Sequence, residues 1–154
     1  MTPRFTLAAL VAGAALTFGS IAQAQDFDNQ IGARQGMFKM NGVSLGILAG
    51  MVRGRIDYDA ELAQAAADNL VNVSQFNMAP LWPEGSDSGA VEGTAALPAI
   101  WENYDDFLAK FSAFGEATLV MQAAAGDGTD AIAGALAGLG GSCGACHDSY
   151  QKSR

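Results

Sequence analysis

Apolar residues recur at helical spacing in four segments of the chain, and no segment shows the alternation of a strand. The first segment predicts a helix over about residues 29–53, capped by Asp26 or Asp28. The second predicts a helix that Asp57 or Asp59 caps and that ends near residue 77. The residues expected on the inner sides of these helices are Ile31, Phe38, Leu45, Leu48 and Val52, then Leu62, Ala66, Leu70, Val73 and Phe76.

From Met78 to Leu97 the pattern breaks at prolines and glycines, which predicts a long irregular crossover. Pro98 suits the first turn of a third helix that runs to about residue 125. A turn at 126–128 precedes a fourth helix from Thr129 or Asp130. The residues expected on the inner sides of the third and fourth helices are Ile100, Tyr104, Phe107, Leu108, Phe111 and Phe114, then Ile132, Leu136, Leu139, Cys143, Cys146 or His147, and Tyr150. The sequence therefore predicts an all-α, antiparallel four-helix bundle.

The first 24 residues have the pattern of an export signal. Arg4 precedes an apolar run over residues 5–18, and Ala22-Gln23-Ala24 provides a small-residue cleavage site. We expect cleavage after Ala24, a periplasmic location, and one domain over residues 25–154. An uncleaved membrane anchor is the alternative. Glycines and a serine interrupt the run, however, whereas a spanning helix needs about 20 continuous apolar residues.

Acidic residues outnumber basic ones by 16 to 8. Nucleic acid is not an expected partner, because binding a phosphate backbone requires a positive surface. Solubility is a sufficient explanation of the negative charge. We expect no contact with a membrane once the signal is removed.

The segment Cys143-Gly144-Ala145-Cys146-His147 has the pattern of a c-type haem attachment site. Residues three and four apart share one face of a helix, so the two thiols and the imidazole lie on the same side. We predict two thioether bonds to a single haem c, with His147 as an axial ligand of the iron. Since these residues continue the apolar stripe of the fourth helix, the cofactor is expected inside the bundle.

A redox-active cysteine pair and a zinc site are the alternative interpretations of this motif. A redox CxxC usually opens a helix, whereas this pair lies near the end of one. A structural zinc site needs a fourth ligand, and the chain contains no other Cys or His. Both alternatives are therefore disfavoured.

A second axial ligand must come from upstream, because only seven residues follow His147. His147 is the single histidine of the chain, which excludes ligation by two histidines. Five methionines beyond the signal can be thioether ligands or core residues, namely Met37, Met40, Met51, Met78 and Met121.

The export signal, the four helices, the long crossover and the carboxy-terminal CxxCH together resemble a cytochrome c′, a class II c-type cytochrome. Residues 34–39, Arg-Gln-Gly-Met-Phe-Lys, are similar to the first-helix pattern of that family, and residues 79–83 and 99–101 are also similar. The resemblance implies that Phe38 lies over the open face of the haem, where low-spin relatives of the c556 type carry methionine. It also implies cofactor-binding positions at Arg34, Gln35 and Trp82.

Arg34, Phe38 and Gly42 form an i, i+4, i+8 row on the first helix. Arg34 can reach a haem propionate, Phe38 can cover the iron, and Gly42 can leave room beside the ring. Because phenylalanine cannot ligate iron, we predict a five-coordinate, high-spin iron. Met37 is the alternative ligand, although one residue turns a helix by about 100°; it would give a low-spin electron-transfer cytochrome of the c556 type.

The resemblance further implies a protein that binds nitric oxide and carbon monoxide, linked to nitric oxide handling and to electron transfer with a redox partner protein. We expect gas binding rather than enzymatic catalysis, since the distal row offers no acid or base. The resemblance also implies a homodimer formed by the first two helices, and a glycine at every fourth position from Gly42 to Gly54 is compatible with close contact. Gln151 is a departure, because family members often have a basic residue there.

Overall fold

A computed structural model describes residues 26–153, so the expected signal and its cleavage site lie outside the described residues. Five α-helices occur in this range: α1 (Asp28–Val52), α2 (Ala60–Ser74), α3 (Ala99–Glu102), α4 (Tyr104–Ala124) and α5 (Thr129–Tyr150). Helix α1 packs against α2 and α5, and α4 also packs against α2 and α5. The long helices thus form the predicted antiparallel four-helix bundle. None of the helices within residues 26–153 is long and apolar enough to cross a membrane.

Local sequence signals set several of the helix ends. The Asp59 carboxylate accepts the N–H of Leu62 at 2.8 Å, which confirms one of the two caps considered for the second helix. The cap predicted for the first helix at Asp26 or Asp28 was wrong: the N-cap residue is Phe27 and makes no side-chain cap bond, although the Asp26 carboxylate accepts the N–H of Asp28 at 3.0 Å. Gly128 has φ +98°, a conformation that glycine adopts readily, and α5 begins at the next residue. Helix α2 ends at Ser74, a few residues before the predicted end.

The prediction of one continuous third helix was wrong, because the helix breaks at Asn103. Asn103 has φ −134° and ψ 50°, which lie outside the helical region, so this residue ends α3 and precedes α4. That carbonyl accepts the N–H of Phe107 at 3.0 Å and the hydroxyl of Tyr150 at 3.3 Å. A tertiary contact with α5 therefore accompanies the interruption.

Several large apolar residues predicted on inner faces lie at the surface instead. Leu62, Phe76 and Leu108 are 42%, 55% and 38% exposed. On α2 the alanines Ala63 and Ala67 are completely buried. Small residues allow the backbones of packed helices to approach closely, which is why alanines occupy this contact.

The core consists of two clusters. One fills the middle of the bundle around Leu48, Leu70 and Ile132. The other, between the crossover and the end of α5, is built from Met37, Val73, Met78, Trp82, Ala96, Ile100, Phe107 and Tyr150. Cys143 packs against the first cluster and Cys146 against the second, so the CxxCH motif lies where the two clusters meet.

Candidate functional site

A cavity of about 520 Å³ lies beside the CxxCH motif, and Cys143, Cys146 and His147 all line it. Its walls come from α1, the crossover, α3, α4 and α5. The aromatic side chains on these walls are Phe38, Trp82, Phe107, Phe111, Phe114 and Tyr150. An aromatic, concave space of this kind suits a flat apolar cofactor.

The two cysteine side chains are partly buried and are not joined in a disulfide. Burial raises the pKa of the Cys143 thiol and of the Cys146 thiol. Redox-active cysteine pairs instead have a thiol whose pKa is lowered, commonly at a helix N-terminus. The environment therefore disfavours the redox interpretation and is compatible with attachment of a cofactor inside the bundle.

The crossover and the end of α5 close one side of the cavity. The Tyr150 carbonyl accepts the N–H of Leu97 at 3.0 Å, and the N–H of Lys152 donates to the Ala95 carbonyl at 2.8 Å. Gln151, the departure from the family pattern, forms an isolated β-bridge with Ala96 and lines the same cavity. These contacts hold the segment after His147 against the crossover.

Phe38 lines the cavity from α1 and is 38% exposed. Met37 points away from the cavity: its side chain is 6% exposed and packs in the cluster with Met78 and Trp82. All five methionines beyond the signal fall within the described residues, and none of them lines this cavity. On the side of the cavity formed by α1, the structure therefore places the aromatic ring of Phe38 and no methionine thioether.

Arg34 lines the cavity and also connects α1 to the crossover. Its guanidinium donates to the Ser86 side chain at 2.8 Å, the Ser86 carbonyl at 3.0 Å, the Thr94 hydroxyl at 3.1 Å and the Leu81 carbonyl at 3.4 Å. It also stacks over the Trp82 ring, 4.4 Å from the centroid. The sequence did not reveal this structural role, because the partners lie up to 60 residues away.

Gln35 and Trp82 both line the cavity, and their predicted roles in binding the cofactor stay predictions. Gln35 donates from Nε2 to the Gly93 carbonyl at 2.6 Å and so adds a second link to the crossover. Trp82 packs edge-on against Phe107, with ring centroids 4.8 Å apart. Its indole Nε1 is buried and has no hydrogen-bond partner in the part of the chain that the structure describes.

Gly42 is not among the residues that line the cavity, and its place beside the ring stays a prediction. Eight residues from Arg34 turn a helix by about 800°, which is 80° away from the starting direction, whereas seven residues return to within about 20°. Asn41 accordingly lines the cavity. The seven-residue spacing of Arg34, Asn41 and Leu48, all buried, is the sequence signal that could have identified it.

Comparison with known proteins gives the family. Residues 29–151 match the family described as "Cytochrome C'". Cytochrome c-554 of Cereibacter sphaeroides is 40% identical over 144 residues, which are 90% of this chain and 94% of that protein. The chain belongs to the cytochrome c′ family.

Other members and structures agree with this assignment. Cytochrome c-556 of Agrobacterium tumefaciens is 38% identical over 124 residues, covering 79% of this chain and 96% of that protein. A cytochrome c′ structure titled as from "Rhodobacter Spheriodes" has a TM-score of 0.80 and 38% identity, covering 84% of this chain and 100% of that one. A nitric oxide complex of a mutant cytochrome c prime from Alcaligenes xylosoxidans has a TM-score of 0.70 and 28% identity, with 85% and 100% covered.

As a cytochrome c′, the chain has covalent haem c as its cofactor. Two thioether bonds require Cys143 and Cys146, because the sequence has only these two cysteines. The environment of Arg34 fits a cofactor that carries carboxylates. Its side chain is 3% exposed, its hydrogen bonds go only to neutral oxygens, and no salt bridge of Arg34 occurs within residues 26–153.

A buried charge without a counter-ion is unfavourable, and burial lowers the pKa of the Arg34 guanidinium. A haem propionate would supply the missing negative charge, and the unpartnered Nε1–H of Trp82 is a second donor beside the same cavity. The uncompensated charge of Arg34 and the unpartnered indole N–H of Trp82 support a propionate near Arg34. The position of this propionate stays a prediction.

Replacing Arg34 by Met should lower the free energy of unfolding of the holoprotein by about 2–4 kcal/mol, since several buried acceptors on the crossover lose their donor. Urea unfolding measures this change. Lys39→Met is the matched control, because Lys39 lines the cavity but its side chain is exposed. Equal stability of the two variants would contradict the structural role of Arg34.

Tyr150 donates a hydrogen bond to the Asp106 carboxylate at 2.6 Å. Burial, together with this bond, raises the pKa of Tyr150 to about 12 from its ordinary 10. Tyr150→Phe should therefore cost about 1–2 kcal/mol of unfolding free energy at neutral pH. In the parent protein this contribution is complete below pH 10 and is lost as the pH rises towards 12. Urea unfolding at several pH values tests it: a difference between the two proteins that does not shrink over this range would contradict the assignment.

Proposed function

We propose that this cytochrome c′ binds small neutral diatomic molecules, nitric oxide or carbon monoxide, at a five-coordinate, high-spin haem iron. The observation that carries the proposal is the cavity lining: Phe38 faces the cavity from α1, and all five methionines lie elsewhere. With His147 as the single histidine, neither of the usual protein donors is available for a sixth position. A haem iron with one open axial position supplies the ligand-binding chemistry.

The residues of the chain have separate tasks in this proposal. Cys143 and Cys146 would hold the haem on α5 through their sulfur atoms, and His147 would supply an imidazole ligand to its iron. Phe38 places an apolar ring on the opposite side, and this ring disfavours water and anions relative to neutral molecules. Arg34 compensates a propionate and keeps the crossover over the cavity.

Nitric oxide handling is the role we favour, and electron transfer to a partner protein is a second role proposed for the same iron. The solved nitric oxide complex of the Alcaligenes relative supports gas binding in the family. We also propose that the chain is not an enzyme, because the described residues that line the cavity include no Asp or Glu to act as acid or base.

The kinetics of carbon monoxide binding to the reduced holoprotein test this function. An open position predicts an association rate that rises linearly with carbon monoxide concentration. A rate that saturates would mean that an internal ligand must first leave the iron, and it would contradict the proposal.

The alternative function is a low-spin, Met-ligated electron-transfer cytochrome, and the c-556 relative is the observation that favours it. Met37 would be the ligand. Its thioether is held in the cluster with Val73, Met78 and Trp82, so α1 would have to rotate by about 100° to exchange Met37 with Phe38. We therefore place this function second.

We further propose a periplasmic location, on the basis of the export signal. Cell fractionation followed by amino-terminal sequencing tests it. The expected result is a periplasmic protein that begins at Gln25, and a first residue of Met1 or Thr2 would contradict it.

A homodimer formed through α1 remains a proposal. On the outer side of α1, Met40 and Val43 are 52% and 65% exposed, and a Cβ added at Gly42 or Gly46 would meet no atom within 4 Å. A second copy of the chain can cover this apolar surface closely.

Val43→Glu should make the protein sediment as a monomer, whereas Val120→Glu, on the exposed side of α4, should not. A parent protein that sediments as a monomer would contradict the dimer.

A further inference from the structure

Asn41 is a buried amide beside the cavity whose hydrogen bonding is incomplete. Its side chain is 7% exposed, it lines the same cavity as Cys143 and His147, and its Oδ1 has no hydrogen-bond partner among residues 26–153. Buried polar atoms without partners are rare in native proteins and destabilise the fold. An apolar residue of similar size would avoid this cost. The buried amide therefore points to a hydrogen-bond partner that is not another residue of the protein.

The position of Asn41 on α1 relates it to Phe38. Three residues separate them, so they are neighbours on adjacent turns, and both line the cavity. His147 lines the cavity from α5. If His147 holds the iron from the α5 side, the open face of the haem is turned towards α1, where Phe38 is the apolar residue and Asn41 is the polar one.

We propose that Asn41 is a specificity residue for the diatomic ligand: its side-chain Nδ2–H donates a hydrogen bond to the outer atom of a molecule bound on the open face. This inference rests on the proposed gas-binding function. A turn of the amide by 180° exchanges its oxygen and nitrogen; because no donor within residues 26–153 holds Oδ1, Nδ2 can take the buried, unpartnered position of that atom and donate to the ligand.

Carbon monoxide bound to the reduced holoprotein is the probe. A donor next to its oxygen draws electron density from the iron into the ligand and weakens the C–O bond. Asn41→Leu, which keeps the size of the side chain, should raise the C–O stretching frequency. The same variant should release carbon monoxide roughly three- to tenfold faster, the range expected for one lost hydrogen bond.

Stability provides an independent measurement on the same variant. Replacing a buried, unpartnered polar group by an apolar group of the same shape is neutral or stabilising. Asn41→Leu should therefore unfold at the same urea concentration as the parent or at a higher one. A structural role for the amide predicts the opposite change, with no effect on the C–O stretch.

Asn72→Leu, the same substitution on the exposed side of α2, is the matched control and should leave the stretch and the release rate unchanged. Asn41→Val gives a smaller side chain if leucine does not fit. If carbon monoxide binds with linear kinetics but the Asn41 variants keep the parental stretch and release rate, the inference is wrong and the gas-binding function stands. Saturating association in the parent protein contradicts the function itself.

Discussion

The double variant C143A/C146A is expected to contain no covalently attached haem. These are the only two cysteines of the sequence, they lie one helical turn apart on α5, and both line the cavity. Without their sulfur atoms, only the axial imidazole and packing would retain the cofactor. Acid–organic extraction should therefore remove all haem from the double variant and none from the parent protein.

Ser142→Ala is the control for this experiment. Ser142 also lines the cavity, and its hydroxyl donates to the Leu139 carbonyl at 2.8 Å, so the variant disturbs the same turn without removing a thiol. It should keep its haem through extraction. Haem that stays with the denatured C143A/C146A polypeptide would require another attachment site and would contradict the assignment.

Phe38→Met should convert the iron from five-coordinate and high-spin to six-coordinate and low-spin. Residue 38 lines the cavity from α1, and a methionine there would present a thioether where the parent protein has an apolar ring. If methionine occupies the iron in about 99% of molecules, the apparent affinity for carbon monoxide falls about a hundredfold. Absorption spectra and carbon monoxide titration measure both effects.

The variant Met37→Leu tests whether Met37, rather than residue 38, determines the coordination of the iron. Because Met37 is buried in the cluster with Val73, Met78 and Trp82, this variant should have the coordination state and carbon monoxide affinity of the parent. If Met37→Leu changed the spin state of the iron and Phe38→Met did not, Met37 would be the ligand and the distal assignment would be wrong.

Local signals in the sequence were sufficient to predict the four-helix architecture. The carboxylate of Asp59, the turn at Gly128 and the apolar spacing of α5 act within a few residues, and the bundle and the neighbourhood of the CxxCH motif could be predicted from them. The family resemblance placed Phe38, Gln35 and Trp82 beside the cavity. Their roles towards the haem stay predictions that the experiments above test.

Features that depend on distant contacts could not be predicted. Asn103 interrupts the third helix where its carbonyl meets Tyr150, and neither proline nor glycine marks the break. Arg34 binds crossover atoms about 50 to 60 residues away. Leu62 is exposed while Ala63 is buried, because the inner face of α2 is chosen by how closely its neighbours approach rather than by side-chain hydrophobicity.

The coordination state of the iron in the purified parent protein tests the central claim most directly. Absorption and electron paramagnetic resonance spectra should show a high-spin, five-coordinate iron in the ferric protein, and the absorption spectrum should show the same in the reduced protein. A low-spin spectrum with a methionine–iron charge-transfer band would contradict the apolar Phe38 lid and, with it, the proposed binding of diatomic gases.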